Sequence, residues 1–68
     1  MTLKEMREQA GYKQSLVAKK LNVSVGAVSQ WERGVNGMAT KYVLKIAKLY
    51  RVTEDEIIEA LRLAKETT

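Results

Sequence analysis

The side chains in this 68-residue chain that could do chemistry are amides, hydroxyls and cations. Cysteine and histidine are both absent, which excludes disulfide staples, zinc fingers and thiol or imidazole catalysis. The sequence also contains no clustered carboxylates, nucleophile–base arrangement, phosphate-cradling glycine loop or metal-ligand set, so it does not read as an enzyme. No cofactor and no metal are expected. What remains is a short group of small and polar residues, Ser24, Val25, Gly26, Ser29 and Gln30, in a chain carrying a formal net charge of +4. Hydroxyls and a carboxamide donate and accept hydrogen bonds at once, so the chemistry on offer is recognition of a polar, negatively charged partner.

The elements that must position that group lie in Gln14 to Arg33, QSLVAKKLNVSVGAVSQWER. Val17, Ala18 and Leu21 form an i, i+1, i+4 stripe on one helix, and Val28 and Trp31 an i, i+3 stripe on the next. Asn22 stands between them and tolerates the left-handed backbone that ends a helix and turns the chain. Ala18 is small, as a steep, close helix crossing requires. Together these features predict two short helices joined by a tight turn, a helix-turn-helix that lays its second helix in the major groove of duplex DNA. Ser24, Val25, Gly26, Ser29 and Gln30 then occupy the exposed face of that second helix, where base edges are read. Gln30 is the strongest candidate, because a carboxamide can make two hydrogen bonds to adenine, and Val25 could pack on a thymine methyl. Glycine within a helix costs about 1 kcal/mol relative to alanine, and Gly26 fits either close approach of the backbone to a base or sugar or a position where nothing selects for a side chain, with the first slightly favoured. Gln14 and the neighbouring amides open the first helix of the pair, where unpaired N–H groups and the positive dipole end favour a phosphate.

Around this motif the chain divides into five predicted helices. Helix 1 covers Thr2–Ala10, with a Thr2/Glu5 capping box and Gly11 as its stop. Leu3 and Met6 face inward, and Tyr12 folds back on the core. Helix 2 runs over Gln14–Leu21 and helix 3 over Val25–Arg33, capped by Ser24 and closed by Gly34. A loop over Val35–Ala39, centred on Asn36-Gly37, leads to helix 4 at Thr40–Tyr50, with Val43, Ile46, Ala47 and Tyr50 on one face. Thr53 and Glu56 cap helix 5, whose apolar stripe is read as Ile57, Ile58, Leu61 and Ala64. Trp31 belongs to the core, while an exposed Tyr42 is equally compatible with packing on a deoxyribose. With no strand pattern, this is an all-α single domain over 1–68, with the helix-turn-helix at 14–33 and the C-terminal helix at 53–65.

Charge divides the chain unevenly. Residues 1–52 hold ten lysines and arginines against Glu5, Glu8 and Glu32, whereas residues 53–68 hold Arg62 and Lys65 against five acids. A basic body with an acidic end suits a polyanion-binding surface set apart from the last helix. No apolar run approaches membrane-spanning length, and MTLKEMREQ lacks a signal-peptide core. A soluble, cytoplasmic protein is expected.

The chain resembles the Cro/phage-repressor (Xre-type) helix-turn-helix proteins over nearly its whole length. The matching pieces are Arg7, Gly11 and Gln14, then VAKKLNVS at 17–24, VSQWERG at 28–34, LKIAKL at 44–49 and VTEDEI at 52–57. The resemblance implies a compact, five-helix, lambda-repressor-like DNA-binding domain. It also implies base reading from Val25, Gly26 and Gln30, and a second phosphate clamp from Asn36, Gly37 and Lys41. Lys13 stands where the family has a Ser or Thr cap, a departure that costs helix 2 about 1 kcal/mol of capping while adding a cation beside the expected phosphate. Arg7 and Glu32 fall where the family places a structural ion pair beneath the recognition helix. Lys19, Lys20, Lys45 and Lys48 read as solvated charges. Leu16 occupies a place that is usually polar in the family, and Leu63 lies where related proteins pair, a candidate homodimer contact.

The function implied is sequence-specific double-stranded DNA binding by a prokaryotic or phage transcriptional regulator, a repressor acting as a homodimer on a palindromic operator. The chain begins with Met and has no room for a sensor domain; if it is full length, it is expected to act as a compact Cro-type switch rather than a two-domain repressor. The alternative is an antitoxin or other protein-binding module on the same fold, whose acidic end would engage a basic protein partner.

Overall fold

A computed structural model describes residues 1–66. Among them are five helices and no strand: α1 (Leu3–Gln9), α2 (Gln14–Leu21), α3 (Val25–Arg33), α4 (Thr40–Tyr50) and α5 (Glu54–Glu66). The boundaries follow local chemistry. The Thr2 hydroxyl accepts from the Glu5 N–H at 3.1 Å, and the Thr2 N–H donates to the Glu5 carboxylate at 2.8 Å. This reciprocal cap holds the Glu5 carboxyl below the ordinary carboxylate range, chiefly through the Thr2 backbone bond. Ser24 accepts from the Ala27 N–H at 3.1 Å to start α3, and Thr53 and Glu56 build a second reciprocal cap for α5. Thr2 and Thr53 are thus caps rather than helical residues, and α5 runs to Glu66.

Stops are made by left-handed residues. Asn22 (φ 57°) ends α2, with Val23 N–H donating back to Ala18 O at 3.0 Å, and Gly34 (φ 73°) ends α3. Arg51 does the same for α4 at φ 59°, a stop that no glycine or asparagine announces in the sequence. Each such closure satisfies carbonyls that a helix end would otherwise leave unpaired.

The core collects one face of every helix: Leu3 and Met6, Val17, Ala18 and Leu21, Val28 and Trp31, Val43, Ile46, Ala47 and Tyr50, Ile57 and Ala60. Truncating Ile46 or Ile57, both fully buried, to alanine costs about 2–5 kcal/mol. α2 packs on α3, α4 on α5, and α1 touches α3, α4 and α5. One expectation for α5 is overturned. Ile58 is 54% exposed and Ala60 takes its place in the core. The buried and half-buried positions are 57, 60, 61, 63 and 64, of which 57, 60, 61 and 64 make the i, i+3, i+4, i+7 pattern of a helix face. Ile58 lies about 100° round the helix from Ile57 and points away from it. No helix among the described residues is long and apolar enough to cross a membrane.

Candidate nucleic-acid interface

Packing Val28 and Trp31 inward turns the opposite face of α3 outward. Ser24, Val25 and Gly26 are exposed on its first turn, and Ser29 and Gln30 are half-buried one turn on. A Cβ built on Gly26 would meet only the Ser24 hydroxyl, at 3.7 Å, so nothing within the protein requires glycine there. Ser29 accepts a hydrogen bond from Arg33 Nε at 3.3 Å. Gln30 Oε1 accepts from Asn36 Nδ2 at 3.2 Å. This joins the exposed face of α3 to the loop that precedes α4, a pairing the spacing of the two residues did not announce.

Helix starts differ in a way that bears on this surface. α1 and α5 carry acids in their first turns and have threonine caps, whereas α2, α3 and α4 carry none. Of these three, α2 and α4 also lack any side-chain cap: their N-cap residues are Lys13 and Ala39. Two helices therefore open with first-turn N–H groups that no N-cap side chain takes among the described residues, at the positive end of the helix dipole. The predicted clamps fall at these two places. Lys13 and Gln14 stand at the start of α2. Asn36 and Gly37 stand exposed before α4, and Lys41 on its first turn.

Beneath α3 lies a buried ionic network. Arg7 Nε donates to Glu32 Oε2 at 2.6 Å and Nη2 to Oε1 at 3.3 Å, while Nη1 donates to the Tyr12 carbonyl at 3.0 Å. Gln14 Nε2 completes it, donating to Glu32 Oε1 at 3.0 Å. The Arg7 and Glu32 side chains are only 10% and 8% exposed, and the bond to Glu32 raises the guanidinium above its ordinary pKa. Gln14 thus has a second task besides the one read from sequence: its amide ties the start of α2 to α3 through Glu32. Tyr42 is also placed. It is half-buried with its ring 5.3 Å from Trp31, and the Lys41 ammonium lies 5.1 Å from its centroid.

The family model described as Helix-turn-helix matches residues 3–57. The chain belongs to the Xre-type helix-turn-helix family. It is 36% identical over 64 residues, 94% of its length, to the HTH-type transcriptional regulator ImmR of Bacillus subtilis (strain 168). It spans about half, 50%, of the length of that curated relative. No solved structure matches it significantly. Lys13 opens α2 without a side-chain cap, and Leu16 is 39% exposed. Leu63 is half-buried rather than open. The larger apolar exposure on α5 is Ile58, which periodicity had assigned to the core.

Proposed function

We propose that this domain reads duplex DNA, with α3 in the major groove, as the DNA-binding part of a transcriptional regulator. The observation that carries the reading is the outward face of α3 lying in a family helix-turn-helix whose α2 and α4 open uncapped and without acids. Gln30, Val25 and Gly26, with Ser24 and Ser29 beside them, meet the bases. Lys13 and Gln14 on one flank, and Asn36, Gly37 and Lys41 on the other, hold the phosphates. The Arg7–Glu32 pair fixes the tilt of α3 and touches no nucleotide. Two copies bind a palindromic operator as a homodimer, with half-sites about one helical turn, ~34 Å, apart, and occupancy represses transcription. Doubling the phosphate contacts supplies affinity that one small domain lacks. α5 supports the pairing through an apolar residue left outside the core, Ile58, and through Leu63 as the sequence suggests.

Selection of bound sequences from a random duplex pool, followed by a salt titration on the winner, tests this. An inverted repeat is expected. Gln30→Ala relaxes preference at one position per half-site by about 1–3 kcal/mol. Lys41→Ala weakens all sequences alike and flattens the salt slope by about one per bound copy. Identical behaviour of the two variants, or no enrichment at low salt, overturns the reading.

A further inference from the structure

Resting on the reading of α3 as the base-reading helix, we propose that Asn36 is a specificity-determining residue. It orients the Gln30 carboxamide so that Gln30 reads guanine rather than adenine. The pairing is built by the way α3 ends. Gly34 turns left-handed, and the Gly34 and Val35 N–H groups both close on the Gln30 main-chain carbonyl, the latter at 3.1 Å. The loop is thereby folded back over Gln30, which brings Asn36 Nδ2 to 3.2 Å from Gln30 Oε1. Gly34 itself is packed against the backbone of Ala64, where a Cβ would come within 2.6 Å.

The consequence is chemical. Adenine offers the major groove one acceptor, N7, and one donor, N6, so a glutamine reads it with its oxygen and its nitrogen together. Guanine offers two adjacent acceptors, N7 and O6, and is read by donors alone. With Oε1 engaged by Asn36, Gln30 meets the groove with its two Nε2 hydrogens, which no partner takes among the described residues. Both guanine acceptors then meet donors, whereas the adenine N6 donor must compete with Asn36 for an oxygen turned toward the loop. Asn36 is a positioning residue in this arrangement, acting on the base through Gln30.

The experiment compares selected sequences for the wild-type chain, Gln30→Ala, Asn36→Ala and Asn36→Asp. Gln30→Ala identifies the position that the glutamine reads, and the wild type is expected to hold guanine there. Asn36→Ala frees Oε1 and, besides weakening all sequences alike through the lost phosphate contact, shifts the guanine-to-adenine ratio at that position toward adenine by roughly tenfold. Asn36→Asp presents only acceptors, draws Nε2 to itself and turns Oε1 outward, so it moves the same ratio in the same direction while weakening every sequence through its charge. A uniform loss of affinity with that ratio unmoved, or adenine in the wild-type site, overturns the proposal and leaves the major-groove reading standing. Failure of the wild type to enrich any duplex removes that reading and this one with it.

Discussion

Gly26 sets the stability of the free protein against access to a partner. It sits exposed in the first turn of α3 with room for a Cβ, so Gly26→Ala removes backbone entropy from the unfolded chain at no steric cost. It stabilises the fold by about 0.5–1 kcal/mol, a rise of a few degrees in melting temperature. If the glycine exists to let backbone approach a base or sugar, the same methyl weakens binding to the selected operator. Thermal melts and a binding titration on one preparation check both halves, and unchanged affinity would remove the close-approach role. Arg7 and Glu32 are the opposite case, two residues that act only together. Glu32→Ala leaves a guanidinium with little exposure and only the Tyr12 carbonyl to answer it, at a cost of about 3–5 kcal/mol. Removing Arg7 as well takes away the stranded charge. The double variant is therefore expected to melt above the single Glu32→Ala, and simple additivity in a melt series would show the network to be weaker than its geometry.

Among the elements, α3 and α5 are locked by a contact that no local rule reveals. The Gly34 position was readable as a helix stop, since glycine past a periodic run takes the left-handed conformation. Its second role, bringing the end of α3 against the Ala64 backbone, joins residues thirty apart and has no signature in composition. Gly34→Ala combines strain at φ 73° with a clash against backbone that cannot rotate aside. A loss of at least about 2 kcal/mol is expected, against a gain for Gly26→Ala in the same helix. Equal melting temperatures for the two variants would mean that α5 swings away freely. The same division explains what was legible elsewhere. Helix starts and stops were readable because Thr2, Ser24, Thr53, Asn22 and Gly34 act within three or four residues of themselves. The facing of α5 was misjudged because Ile57 and Ile58 are adjacent and alike, and only packing on α1, α3 and α4 chooses between them. Arg51 entered the left-handed region with no residue type to announce it. For the site, the outward face of α3 followed from the Val28–Trp31 stripe. The links Gln14–Glu32 and Gln30–Asn36 needed the helices in place before their amides could meet.

At the scale of the molecule, α1, α3 and α4 meet where Tyr50 is buried, 6% exposed, near Arg7 and Glu32. Burial, and then the Glu32 charge, push its phenol up to about 12 from 10.0, with Arg7 opposing. An acid whose pKa is raised by folding keeps its proton longer in the native state. Below pH 10 both states hold the proton and the group has no effect on the balance. Between pH 10 and 12 the unfolded chain ionises at Tyr50 while the folded one does not, so stability falls as pH rises through that window. Tyr50→Phe removes this component at the cost of one hydroxyl. Its melting temperature is therefore expected to decline less steeply than that of the wild type from pH 9 to 12, whatever offset the substitution introduces at neutral pH. Parallel declines would mean that the phenolate is accommodated where the three helices meet. The junction under the recognition helix would then admit water and could not hold α3 at one tilt. That outcome would weaken the case for a buried ion pair as the device that aims the helix, because a wet site screens Arg7 from Glu32 as effectively as it hydrates Tyr50.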